Sequence, residues 1–77
     1  MVRIEMIELT DEHARYKYFP ENSEAFGIIK LNRLTNVREF EKTVSGYSMN
    51  YAAHAIRRIE EYNAIGTFKE KDIVAWC

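Results

Sequence analysis

The stretch NYAAHAIRRIEEYNAIG, residues 50–66, decides the fold because its apolar residues recur with the period of a helix. Wound at about 100° per residue, it places one stripe of apolar side chains on one side: Ala52, Ala55, Ile56, Ile59 and Tyr62, with Tyr51 at its edge. Ser48 or Asn50 can cap the first turn, and Gly66 supplies a C-terminal stop. We therefore predict an amphipathic helix over residues 50–65, with this stripe as its core face.

The chain before the helix alternates with a period of two, which is typical of strands. Four such segments are separated by polar or turn-forming residues: MVRIEMIEL (1–9), RYKYF (15–19), FGIIKLN (26–32) and VREFEKTV (37–44). In the second segment Tyr16 and Tyr18 point to one side of the strand and Lys17 and Phe19 to the other. Pro20 ends this segment. After the helix, KDIVAWC (71–77) predicts a last strand, whose pairing partner the sequence leaves open.

These elements predict an α+β fold, with a mainly antiparallel sheet of four to five strands and one amphipathic helix packed on one face. A chain of 77 residues is expected to form a single domain over residues 1–77. Its composition, 47% apolar and 30% charged, is that of an ordinary globular protein. The sequence has no apolar stretch of about 18 residues that could span a membrane and no basic segment followed by an apolar signal core, so a cytoplasmic location is expected.

The helix also carries the residues that most resemble a catalytic group. His54 lies on the side opposite Ala52 and Ile59, close to Arg57 and Arg58. An imidazole beside a carboxylate could perform general acid–base chemistry, but a convex helix surface lacks the concavity that excludes water around a substrate. No serine or cysteine stands in a recognised nucleophile pattern. We predict a binding or structural protein rather than an enzyme, with no catalytic residues.

Metal and cofactor sites are not expected. His13, His54 and Cys77 are widely separated, whereas zinc sites normally take at least two ligands from close spacing. The glycines do not form a phosphate-binding loop or a dinucleotide fingerprint. Cys77 has no second cysteine with which to form an internal disulfide, and its reactivity cannot be read from the sequence.

The strands carry more aromatic side chains than a helix of about four turns can cover: Tyr16, Tyr18, Phe19, Phe26, Phe40 and Trp76. Some of them must lie on the face of the sheet away from the helix. We predict that Tyr16, Tyr18, Phe19 and Trp76 help form a contact surface there for another protein or for a second copy of the chain. Aromatics half-buried beneath lysine and arginine stems, without any partner, are an equally good interpretation.

Single-stranded nucleic acid is the alternative ligand, since bases stack on aromatic rings while cations hold the phosphates. The candidate contacts are Lys17 and Lys30 in the strands, and Arg57 and Arg58 in the helix. A formal net charge of −1 provides no strong attraction for a polyanion. A protein partner or self-association is therefore favoured over nucleic acid, and neither a membrane nor a metal is an expected partner.

Two long segments carry a resemblance to a known group of proteins: YKYFPENSEAFGIIKLNR (16–33) and NYAAHAIRRIEEYNAIGTFKEKDIVAW (50–76). Here the chain resembles a family of small uncharacterised bacterial proteins of unknown function, some of them encoded by prophages. The marks are the tyrosine pair before Phe19 and Pro20, the Asn50, Tyr51 and His54 start of the helix, and the closing Val74, Ala75 and Trp76. The resemblance implies a bacterial accessory or phage-related role and assigns no site residue.

Overall fold

A computed structural model of the protein describes residues 1–76, so Cys77 and its reactivity lie outside the described residues. The elements follow one another as β1 (Val2–Leu9), β2 (His13–Pro20), β3 (Gly27–Asn32), β4 (Arg38–Lys42), α1 (Asn50–Ile65) and β5 (Lys71–Val74). The α+β fold and the predicted helix bounds are confirmed. Within residues 1–76, no helix is both long enough and apolar enough to cross a bilayer.

The strands form one antiparallel sheet in the order β4-β3-β2-β1-β5. The first four strands follow one another as a meander. The helix then runs back across one face, so that β5 pairs with β1, with Val74 opposite Val2. The helix contacts β1, β2, β3 and β5. Strand β4 lies at the margin of the helix, and all of its residues are exposed.

The core lies between the helix and the sheet. The helix contributes the stripe expected from its sequence: Ala52, Ala55, Ile56, Ile59 and Tyr62, each buried. The sheet contributes alternate residues of its strands: Val2, Ile4, Ala14, Tyr16, Tyr18, Ile29, Leu31 and Val74. No polar or charged residue in the described part of the chain is fully buried. The core is therefore held mainly by apolar packing.

Tyr16 and Tyr18 face the helix, so the prediction that they lie on the opposite face is wrong. Tyr16 is 0% and Tyr18 2% exposed, and the Tyr16 ring centroid lies 6.3 Å from that of Tyr62. The Tyr16 hydroxyl donates a 2.6 Å hydrogen bond to the Lys69 carbonyl. Burial, followed by the charge of Asp72, raises the pKa of Tyr16 to about 12. Strand alternation separates two faces, but the helix decides which of them is buried.

The ends of the helix are fixed mainly by backbone groups. Met49 occupies the N-cap position without a side-chain cap, while Ser48 Oγ accepts a 3.0 Å hydrogen bond from the Asn50 amide. At the other end Gly66 adopts a left-handed conformation with φ 86°, and its N–H donates to the Tyr62 carbonyl at 2.7 Å. Glycine tolerates this conformation at little cost, so it ends the helix as the sequence predicts.

Candidate functional site

The face of the sheet away from the helix, called the open face here, is the candidate functional surface. Strand register places alternate residues on it: Arg3, Glu5, Glu8, Arg15, Lys17, Phe19, Ile28, Lys30, Glu39, Lys42, Lys71 and Ile73. Phe26, from the loop before β3, packs against Phe19 on the same side. Within residues 1–76 the helix covers only the other face.

A layer of cations and phenylalanines lies across one half of the open face. The ring centroids of Phe19 and Phe26 are 5.7 Å apart. The Arg3 guanidinium lies 4.7 Å from the Phe19 centroid, and the ammonium groups of Lys17 and Lys42 lie 4.4 and 4.1 Å from that of Phe26. Such cation–π contacts contribute about 0.5–1 kcal/mol each at exposed sites. They hold these positive charges in defined positions.

The register also sorts the charges of the open face into two halves. In two neighbouring rows of residues that pair across the strands, four cations surround one carboxylate. The carboxylate is Glu5, and the cations are Arg3, Lys17, Lys42 and Lys71. These cations, with Phe19, Phe26, Ile28 and Ile73, are called the cationic half. The other half is balanced, because Arg15 and Lys30 lie among Glu8, Glu39 and Glu41, and Arg15 Nε donates to Glu41 at 2.9 Å. The near-zero net charge therefore conceals a local positive patch.

A shallow groove of about 510 Å³ runs along β1 and β5 at the margin of the cationic half. Its lining residues are Arg3, Ile4, Glu5, Lys71, Asp72 and Ile73. The side chains of Ile4 and Asp72 point towards the helix, so the side chains that form the groove on the open face come from the other four residues. Ile73 is 57% exposed and offers an apolar surface there.

Asp72 links β5 to the helix on the core side of the sheet, opposite the open face. Its Oδ2 accepts hydrogen bonds from Arg58 Nη1 at 2.7 Å and from the Tyr62 hydroxyl, and its Oδ1 accepts from the Ile73 amide at 2.8 Å. Burial opposes ionisation of Asp72, but the hydrogen bonds from Tyr62, Ile73 and Arg58 outweigh it and lower the pKa of this carboxyl. Arg58 is thereby committed to an internal ion pair.

We expect Asp72→Asn to lower the free energy of unfolding at neutral pH by about 1–3 kcal/mol, because Arg58 and Tyr62 lose a charged acceptor. The folded-state pKa of Asp72 lies below the unfolded value of about 3.9, so its contribution is complete above about pH 4 and disappears as pH falls through the folded-state pKa. Urea unfolding at several pH values measures this difference. Asp11→Asn, in an exposed turn, should change stability by less than about 0.5 kcal/mol. A difference between parent and Asp72→Asn that does not shrink in acid would contradict this assignment.

Trp76 lies on the helix side, so its predicted place on the open face is also wrong. Its ring stacks on His54 with centroids 4.0 Å apart and an interplanar angle of 11°, and it meets the edge of Tyr51 at 5.5 Å. Trp76 lies on the same side as Val74, two residues earlier, which is 6% exposed and faces the helix, so the error, as for Tyr16, concerns which face of the sheet is buried. His54 also borders a small surface pocket with Arg38, Ala53 and Arg57. None of these four residues is a serine, threonine, cysteine or carboxylate.

The candidate nucleic-acid contacts do not form one surface. Lys17 and Lys30 lie on the open face, whereas Arg57 and Arg58 belong to the helix on the other side of the sheet. Arg57 is exposed, but Arg58 is paired with Asp72. A single strand of nucleic acid lying on either side of the domain could contact only two of the four predicted residues.

Of the four residues predicted to contact a protein partner, Tyr16, Tyr18, Phe19 and Trp76, only Phe19 lies on the open face. Sequence reasoning did not select Arg3, Phe26, Lys42 and Ile73, although all four belong to the cationic half. From the sequence, Phe26 was counted among the aromatics that one helix cannot cover. The face on which Phe26 lies could be assigned only from the strand register. In the part of the chain that the structure describes, no three His, Cys, Asp or Glu side chains are grouped so that they could hold a metal ion.

The arrangement is suited to binding, since its polar groups face solvent and its apolar groups are only partly covered. Catalysis usually relies on polar groups held in a water-excluded site, and the open face offers a shallow, solvent-facing surface. Comparisons of the chain with protein-family models, with curated proteins and with solved structures find no match.

Proposed function

We propose that the protein is a small non-catalytic interaction module that binds another protein through its open face. The observation that carries this proposal is the cationic half, where Phe19, Phe26, Ile28 and Ile73 lie uncovered by the helix among fixed cations. Apolar groups framed by polar ones are typical of protein-binding surfaces. An accessory role in bacteria or their phages, in the cytoplasm, is the setting that the resemblance of the sequence favours.

Single-stranded nucleic acid is the alternative ligand for the same face. The local excess of cations favours it, because phosphates are bound through positive charge. The aromatic rings argue against it. Base stacking needs an accessible ring face, whereas Arg3 lies over Phe19, and Lys17 and Lys42 lie over Phe26. A base that stacked on the ring faces occupied by these cations would have to displace them.

Photo-crosslinking from two surface positions tests the proposed function. A benzophenone amino acid replaces Ile73 on the open face in one variant and Arg57 on the helix in the other, and both are exposed to bacterial lysate. We expect a discrete protein adduct from position 73 that excess unlabelled parent protein suppresses, and no such adduct from position 57. An adduct of twice the chain mass would identify a second copy as the partner. Adducts only from position 57, or only with nucleic acid, would overturn the proposal.

A further inference from the structure

We propose that the cationic half binds an extended, acidic segment of the partner protein, with its carboxylates on Arg3 and Lys71 and an apolar side chain against Ile73. This inference rests on the proposed function, since it names the chemistry of the partner that the open face receives. The supporting observations are the excess of cations over carboxylates in these two rows, the groove along β1 and β5, and the exposed Ile73.

The first step of the argument is the fixed placement of the cations. Arg3 lies over Phe19 and donates from Nη2 to the Ser23 carbonyl at 3.0 Å, while its Nε is buried without a hydrogen-bond partner. Lys17 and Lys42 are held over Phe26. Side chains that are already ordered lose less conformational entropy when an anion binds. Arg3, Lys17 and Lys42 are therefore preorganised for negative charge.

The second step is spacing. Arg3 stands opposite Ile73, and Lys71 opposite Glu5, so Arg3 and Lys71 are diagonal neighbours on adjacent strands. Diagonal neighbours of this kind are about 7–8 Å apart. In an extended peptide, side chains on the same side recur every two residues, at about 6.6–6.8 Å. Alternate carboxylates of an extended segment can therefore reach both cations.

The third step concerns how the segment lies on the domain. The Met6 amide donates to the Glu70 carbonyl at 2.8 Å, so in this antiparallel pair Glu70 and Asp72 bond towards β1, and Ile73 directs its amide outwards. That amide is already bound by Asp72 Oδ1. A peptide adding as a further strand would find this edge donor occupied. Docking on the open face, along the groove, avoids this obstacle.

The test uses a short, end-blocked peptide in which glutamate, glutamate and valine occupy alternate positions with serines between them, so that all three share one side of the extended chain. It is titrated into isotope-labelled protein while amide shifts are recorded. We expect saturable shifts confined to β1, β2 and β5, which the matching lysine and valine peptide does not produce. Lys71→Glu should weaken binding by about tenfold or more, because a like charge then faces the carboxylates. Arg57→Glu makes the same charge change on the helix and should leave affinity within about twofold. The spectrum of each variant reports whether it is folded.

Three results would overturn the inference: no saturable binding of the glutamate peptide, equal binding by Lys71→Glu, or shifts on this face with oligothymidylate alone. The last would assign the surface to nucleic acid. Failure of the inference is distinguishable from failure of the proposed function. If Lys71→Glu still gives the protein adduct at position 73, the interaction module stands and its acidic partner segment is wrong. If position 73 gives no protein adduct, the proposed function itself fails.

Discussion

Replacing Ile59 by alanine is expected to lower the free energy of unfolding by about 2–5 kcal/mol. Ile59 is 0% exposed and lies within the helix stripe that covers the sheet. The substitution removes buried methyl and methylene groups and leaves a cavity between helix and sheet. Natural domains have about 5–15 kcal/mol of stability in total, and a small domain has little to spare. The loss would threaten folding at physiological temperature.

Ile65→Ala is the matched control, because it makes the same change in the same helix at a residue that is 77% exposed. Its effect should stay within about 0.5 kcal/mol. Urea unfolding followed by far-ultraviolet circular dichroism compares both variants with the parent. Equal stability of the two variants would show that the helix does not pack through the stripe that contains Ile59.

The helix was predictable because sixteen residues, Asn50–Ile65, repeat one apolar pattern, and the pattern itself specifies the buried side. Strands give less information. The sequence separates Tyr16 and Tyr18 from Lys17 and Phe19, but both sets contain aromatic rings. Hydrophobicity alone could not decide which set faces the helix. That choice depends on how neighbouring strands align, which is a property of the whole sheet.

The candidate site depends even more on pairing between residues that are distant in the sequence. Lys71 and Ile73 join Arg3 only because β5 returns beside β1, a pairing between distant parts of the chain. An irregularity between Met6 and Glu8 also shifts the register of β1. Alternation counted from the start of β1 therefore assigns the last residues of this strand to the wrong face. This is the usual consequence of a β-bulge. The local positive patch could not be read from a net charge that sums over both faces.

The two sides of the sheet are linked through β5. Asp72 binds the helix on the core side, while its neighbours Lys71 and Ile73 present their side chains on the open face. Strand alternation makes this division of roles possible within three consecutive residues. The ion pair of Asp72 with Arg58 thus positions residues of the proposed binding surface without contacting a partner.

Replacing Gly27 by alanine is the second substitution with a large expected effect. Gly27 pairs with Tyr18 across the strands, and an added Cβ would lie 2.1 Å from Tyr18 Cε1, 2.3 Å from Tyr18 Cζ and 2.6 Å from the Lys42 carbonyl oxygen. The ring cannot swing into solvent without giving up core packing, because Tyr18 is only 2% exposed. Overpacking of this kind typically costs about 1–3 kcal/mol.

A double-mutant cycle with Tyr18→Val identifies the source of this cost by urea unfolding. Removing the ring relieves two of the three close contacts and leaves the carbonyl of Lys42. We therefore expect Gly27→Ala to cost less in the Tyr18→Val background than in the parent, with a coupling energy of about 0.5–3 kcal/mol. An identical cost in both backgrounds would mean that the backbone of β4 is the obstacle. In that case β4 would have to move, and with it Lys42, whose ammonium lies over Phe26 in the cationic half.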